Sequence, residues 1–266
     1  MEKLMDVMEW RRKVGAPELQ ELVAAVAADD KSRNESNGGA VEAKKESALP
    51  PEKMKLAGGM ARSLNAASMY WHGCTKHGHP ILWIRTQRKP WYPNVQDEIN
   101  ALIVMADAGI VHGMPMRVTD FVVISHSHQP PPPNPRFAYQ MLQGLVKGYP
   151  DRLNCLISAP VSSIVEFCMN LLLPLMPGRL PHKFIFLSTG HCQEKLAGLL
   201  LNGYDDVPTF FGGPNTDHDK FYPDESNYPP ATESSLLKFD FLGMVERMKQ
   251  QRKEYDLSHR HITFKE

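Results

Sequence analysis

The sequence predicts an α/β domain built on a mixed, mostly parallel β-sheet. Three observations predict it. From about Met69 to Leu201, short runs rich in β-branched and aromatic residues alternate with helical stretches. Phe121-Val122-Val123-Ile124 is apolar without a break, as a strand covered on both faces requires. Strands and helices alternate singly, which implies a largely parallel sheet joined by right-handed crossovers. No internal repeat is visible.

The elements follow in order. Leu4, Val7, Met8 and Trp10 have helical spacing, and Gly15 with Pro17 supplies a stop, so residues 1–28 read as a partial N-terminal helical region with a second short helix over Leu19–Ala28. Residues 29–55 are rich in Asn, Gly, Ser, Lys and Glu, cannot offset their ordering entropy, and read as a disordered linker. Residues 72–81 resemble a hairpin that leads into the strand Ile81–Arg85. A helix from Val95 to Ala108 places Ile99, Leu102, Ile103 and Ala106 on one face. After the Phe121–Ile124 strand, Asn134 is a cap, Pro135 suits the first helical position, and Gly148 reads as a left-handed stop. Cys155-Leu156-Ile157 is the next strand. Ser163 and Glu166 form a capping box for a helix through Met176, with Pro174 in its last turn. Phe184–Leu187 is a strand, and Gln193–Leu201 a helix closed by Asn202-Gly203. Residues 214–266 form a polar, proline-punctuated tail ending in a helix from Leu236 to about Arg252. Leu237, Phe241, Met244, Val245 and Met248 form its apolar set, opposite Lys238, Arg247, Lys249 and Arg252. Such a helix either docks on the domain or touches anionic membrane, and docking is the simpler reading.

Composition narrows the function. Apolar content of 42% and charged content of 23% are those of an ordinary globular chain. A net charge of zero supplies no long-range attraction to nucleic acid, which is excluded as an expected partner. Cys74, Cys155, Cys168 and Cys192 show no paired spacing and suit a reducing compartment. The N-terminus shows no apolar signal-peptide core, and the longest apolar stretch, Phe167–Met176, falls short of the ~18–20 residues of a spanning helix. The expectation is a soluble, cytoplasmic protein whose membrane contact is peripheral.

One ordered set of motifs points further. Tyr149-Pro150-Asp151-Arg152-Leu153 leads into a buried strand ending in Ile157-Ser158-Ala159-Pro160. Leu173-Pro174-Leu175-Met176 follows, then the strand opened by Lys183, then Val207-Pro208 with Gly212-Gly213. The order and spacing resemble the CRAL-TRIO lipid-binding domain of cytosolic phosphatidylinositol/phosphatidylcholine transfer proteins, with its "YPERL", "NAP", "KPFL", "KI" and "LPxxxGG" segments. Met8-Glu9-Trp10-Arg11-Arg12 is similar to the end of the helical bundle that precedes that domain, and residues 72–81 to its "GxDxxGRPV" hairpin. The resemblance places a CRAL-TRIO-like domain at residues 56–213. It implies a sheet floor, a hydrophobic pocket above it and a mobile helical gate.

By position the gate is Val161–Met176, where Ile164, Phe167, Met169, Leu171, Leu172 and Leu175 are the pocket candidates. A helix apolar all round is buried or faces lipid, so an ordinary core helix is the alternative. A pocket suits a two-tailed ligand, because each acyl CH₂ moved into water costs about 0.8 kcal/mol and ~30 carbons cost roughly 20–25 kcal/mol. The chain's 14 methionines suit irregular apolar cavities. In phosphatidylinositol-binding relatives, the acid of "YPER" and the Lys of "KI" take part in head-group recognition. Their counterparts are Asp151 and Lys183, and solvated charges are the alternative reading.

The remaining motifs suggest less. His72, Cys74, His77 and His79, with His126 and His128, carry metal-competent atoms, but a hairpin tip splays side chains apart and no metal is expected. Ser125-His126-Ser127-His128 is not read as catalytic, because neighbours on a strand point to opposite faces and no nucleophile-elbow glycines flank the serine. Pro130–Pro133 reads as a polyproline spacer. The sequence therefore predicts a non-enzymatic protein that binds, and transfers or presents, a phosphatidylinositol-like phospholipid or other hydrophobic ligand. The lipid is held non-covalently, with no cofactor and with transient contact to a membrane surface; oligomeric state is not encoded in any motif. A protein-interaction scaffold with a vestigial pocket is the first alternative, and an α/β hydrolase-like enzyme the second.

Overall fold

β1 (Met69–Cys74) and β2 (Pro80–Arg85) pair as an antiparallel hairpin. β3 (Phe121–His126), β4 (Leu153–Ala159) and β5 (Phe184–Phe186) then add in sequence, each parallel to its neighbour. The structure is a computed structural model and describes residues 2–36, 50–89, 94–128, 134–162, 166, 180–223 and 236–259. The expected mixed, mostly parallel sheet is present.

Register sorts the strand residues onto two faces. Trp71, Leu82, Val123, Leu156 and Phe184 share one rung on the helical face. Here α4 (Val95–Ala108), between β2 and β3, and α5 (Pro135–Gln143), between β3 and β4, pack on the sheet, as right-handed crossovers between strands added in one direction require. Asn94 caps α4 by accepting from the Gln96 and Asp97 amides, and Asn134 caps α5 by accepting from Phe137 at 3.1 Å. Trp83, Ile124, Ile157 and Ile185 share a rung on the other, floor face.

The N-terminal helices belong to the same core. α1 (Glu2–Lys13) is clamped by Arg11, which grips Asp107 of α4 through two bonds of 2.7 and 2.8 Å; the Tyr149 hydroxyl donates to the same carboxylate at 2.8 Å. Trp10 meets the Tyr149 ring edge-on at 6.0 Å. This contact corrects the reading of Gly148, which has no positive φ: a Cβ there would lie 2.2 Å from the Trp10 ring, so glycine is needed for close approach.

The linker is also corrected. α2 runs Ala16–Ser36, well past Ala28, and α3 (Pro51–Asn65) begins inside the segment read as disordered. Only residues 37–49 of it lie outside the described residues. Packing accounts for α3: its Ala57, Met60, Ala61 and Leu64 are buried together with Leu19, Leu22, Val23 and Val26 of α2 and with α4. α3 was not read from the sequence at all.

Two shorter helices, α6 (Cys192–Leu199) and α7 (Asp217–Phe221), precede the final helix, α8 (Phe241–Ser258), which starts five residues later than expected. Before it the chain is held by Asn65, whose Oδ1 accepts from the Lys238 and Phe239 amides while its Nδ2 donates to the Leu236 carbonyl. Asp240 then caps α8 by accepting from Gly243 at 2.9 Å. Phe241, Met244, Val245 and Met248 are buried beside β1 and residues 109–113, so the helix docks. No described helix is long and apolar enough to cross a membrane.

Candidate functional site

The floor face is covered unevenly. Along the rung from β3 to β5, exposure rises from 0% at Ile124 through 6% at Ile157 to 41% at Ile185. The covered side is roofed by a turn at residues 209–211 that sets Phe210 and Phe211 against Trp83 and His126. Two glycines make that turn. Gly212 takes the left-handed φ of 80°, and a Cβ on Gly213 would lie 2.1 Å from the Val207 carbonyl oxygen. The open side is the apolar floor of β4 and β5, the strands joined by the segment that carries the gate motif.

The gate candidates Ile164, Phe167, Met169, Leu171, Leu172 and Leu175 lie outside the described residues, as do Cys168, Ser163 and Pro130–Pro133. Glu166 is described, and its amide donates to the Ser162 carbonyl at 2.9 Å.

Asp151 lies two residues before β4 and Lys183 immediately before β5, and parallel pairing brings those two strand starts to one end of the sheet. Asp151 is exposed and holds a φ of 60°, which Asp tolerates better than most residues. Lys183 Nζ donates to the Leu153 carbonyl, two residues beyond Asp151. An ammonium has three donors, so this bond leaves it able to contact an anion as well. Its charge also reaches the floor: burial first, and Asp120 second, raise the Cys155 thiol pKa, and Lys183 opposes them.

The opposite end of the floor carries a polar group that sequence reading missed. Arg85 ends β2 on the floor face at 8% exposure, with Nη1 2.7 Å from Asp219 and its guanidinium 4.2 Å from the Phe210 ring centre. His126 sits in register with it, and its Nδ1 lies 3.1 Å from Gln87 Oε1. Burial above all, with the charges of Arg85 and His128, lowers the His126 pKa to about 4. Strand alternation from Trp83 to Arg85 was the available signal; the partner Asp219 lies 134 residues away and had none. A ligand on the floor would thus lie between two polar ends separated by the seven residues of β4, about 20 Å at ~3.3 Å per residue.

Other motif residues disperse. His126 faces the floor, while Ser127 Oγ bonds Ser158 Oγ at 2.6 Å and lies 3.2 Å from Ser125 Oγ, so the two serines of this motif pair with serines. In the hairpin, His72 turns against His218 with ring centres 4.5 Å apart, whereas His79 Nδ1 sits 2.7 Å from Asp120. Burial raises the thiol pKa of Cys74, to about 12, and that of Cys192, as expected of cysteines used as small apolar groups.

The helical face holds an apolar cavity of about 50 Å³ lined by Trp10, Ile99, Leu102, Val123, Met141 and Leu156 among others. Pockets for drug-sized ligands run ~300–1,000 Å³, so this one is too small for a phospholipid. The floor face is the better location.

Comparison with known proteins bears on the family and the fold. The CRAL/TRIO domain model matches residues 64–213. A crystal structure of Sfh5 is similar with a TM-score of 0.52 at 13% identity, covering 88% of this chain and 74% of that one, which speaks to the fold. No curated protein matches the chain.

Proposed function

The chain belongs to the CRAL/TRIO domain family, and on that premise we propose that it carries a phospholipid on the floor face and transfers or presents it at membranes. Proteins of this family are typically lipid-binding carriers rather than enzymes. The observation that carries the reading here is the rung ending at Ile185: an apolar floor left 41% exposed at the very strand that follows the gate motif. An apolar floor next to the segment that carries the gate motif is where the acyl chains of such a ligand would lie.

The proposed ligand is an inositol phospholipid. Lys183 would serve as a point-charge partner of its phosphate, and Asp151 as an acceptor for head-group hydroxyls. No covalent step is proposed: binding and release need only apolar burial and head-group hydrogen bonds. Native mass spectrometry of the purified protein, followed by lipid extraction, tests the reading. A stoichiometric co-purifying phospholipid is expected. A protein that stays empty in the presence of lipid vesicles would instead favour an interaction scaffold, and turnover of a lipid ester would favour a hydrolase.

A further inference from the structure

Just before β3 the chain makes a two-residue tip. The Val118 amide donates to the Pro115 carbonyl at 3.1 Å, closing a turn with Met116 and Arg117 at its corners. Arg117 holds a φ of 72°, a left-handed conformation that turns usually give to glycine. Met116 is 75% exposed, and Val111, in the same connection between α4 and β3, is 59% exposed. The tip is braced from α8. Asp256 accepts from the Met116 amide at 2.9 Å through one carboxylate oxygen, and its other oxygen lies 3.8 Å from Arg252 Nε. One carboxylate therefore sets an exposed methionine beside an exposed arginine.

Cations line this flank of α8. Lys249, Arg252, Lys253 and Asp256 fall at i, i+3, i+4 and i+7, one stripe along the helix. Burial first, then the charges of Lys249 and Arg252, lower the His112 pKa, with Glu246 opposing them, so both cations stand close to the segment that carries Val111. Leu257, also exposed, lies one turn beyond Lys253. Arg117, Lys249, Arg252 and Lys253 outnumber the acids of this flank, Glu246 and Asp256, and Glu246 lies 3.2 Å from Lys249. Glu254 falls on the opposite flank, where Gln250 donates to it at 2.7 Å. A chain of zero net charge thus carries a local basic face with exposed apolar side chains in it. The face sits at the end of the sheet that holds the head-group candidates: Arg117 precedes β3 as Asp151 precedes β4 and Lys183 precedes β5, and the three strands are parallel. Arg152, next to Asp151, donates through Nη1 to the Thr119 carbonyl at 2.8 Å, which ties the two loops together.

We propose that this face docks the protein on an anionic lipid membrane, with Val111 and Met116 entering the interface and the four cations meeting lipid phosphates. The proposal rests on the lipid-carrier reading above and adds to it the side of the molecule that meets the membrane. Apolar groups gain by leaving water for the boundary between head groups and acyl chains, and each Lys or Arg near an anionic surface strengthens binding about fivefold. Apolar side chains among the cations favour a membrane over a nucleic acid, whose phosphate backbone offers nothing to bury them. A tip already braced by Asp256 needs little further ordering on docking. Positioning the Arg117 side chain would account for the left-handed backbone kept there.

Co-sedimentation of the full chain with vesicles of phosphatidylcholine, alone or mixed with phosphatidylserine, tests this. Binding is expected only where phosphatidylserine is present, and it should fall away in high salt, which screens surface charge. Replacing two cations together, Arg117→Gln with Lys253→Gln, should weaken it about twenty- to thirtyfold, and Met116→Ser should weaken it severalfold. All three side chains are exposed, so the variants should melt with the parent and load phospholipid as it does by native mass spectrometry. Equal binding to both kinds of vesicle, or unchanged binding by the double variant, would overturn the proposal. So would a concentration-dependent dimer that Met116→Ser dissolves, which would assign the face to a second copy of the chain. Loading of lipid without vesicle binding would remove this surface and leave the carrier reading; an empty protein whose vesicle binding the double variant abolishes would do the reverse.

Discussion

Replacing Ile185 with aspartate separates a ligand floor from an ordinary strand edge. Burying an Ile side chain fully is worth ~1.5–3 kcal/mol. Ile185 is 41% exposed, so the fold draws only about half of that from it, roughly 1 kcal/mol. A carboxylate at the same place can keep its water in the unliganded protein. The expected loss of stability is therefore near 1 kcal/mol, a fall of about 2–4 °C in melting temperature for a chain of this size. Loading is another matter. An acyl chain laid on the floor would strip water from the carboxylate, and an unpaired charge against apolar groups costs several kcal/mol even after relaxation. Three to four kcal/mol corresponds to a loss of about 150- to 1,000-fold in lipid affinity. Ile157→Asp gives the contrast: at 6% exposure it should unfold the protein outright. The assay is transfer of a fluorescent phospholipid between vesicles, paired with native mass spectrometry of the variant. Ile185→Asp protein that melts within a few degrees of the parent yet loads lipid normally would refute the floor.

Three further outcomes are expected. Lys183→Ala should weaken inositol phospholipids ten- to hundredfold by removing a charge-assisted contact of about 1.5–3 kcal/mol, while hardly changing phosphatidylcholine; equal effects on both lipids in a competition assay would remove the head-group role. Gly148→Ala should push Trp10 off the domain, since the new Cβ would lie 2.2 Å from its ring, costing ~1–3 kcal/mol and shifting tryptophan emission to the red; unchanged emission and stability would contradict the packing of α1. Acid should destabilise the fold: burial first of all lowers His72 and His126 to about 4 and His218 to about 2. The unfolded chain takes up these protons near pH 6.5 and the folded chain does not, so stability present above 6.5 is lost progressively toward pH 4, by ~3 kcal/mol for His72 alone. Thermal melts between pH 7 and 4 read this directly, and a flat profile would mean the histidines are not buried neutral.

Much of the architecture was legible because it is written locally. The four strand runs, the limits of α4 and the Asn134-Pro135 start of α5 depend on neighbours within a few residues, and they appear where periodicity and capping chemistry put them. The ordered motifs from Tyr149 to Gly213 likewise pointed to the family, because they record a whole topology along one line of sequence. Tertiary contact decided the rest. The whole of α3 looks polar and unpersuasive in isolation, and exists because α4 buries one of its faces. α8 begins at Phe241 rather than Leu236 because Asn65, on another helix, takes the backbone bonds of the residues between. Gly148 makes room for a tryptophan 138 positions upstream, and no local rule announces that. The same holds at the site. Asp151 and Lys183 are named by motif, but Arg85 with Asp219 is assembled from segments more than a hundred residues apart. Local sequence determines which backbone each segment prefers, since that preference is a sum of short-range terms. Which distant charges meet, and which apolar face stays open, depends on the burial of the whole chain and is settled only when it folds.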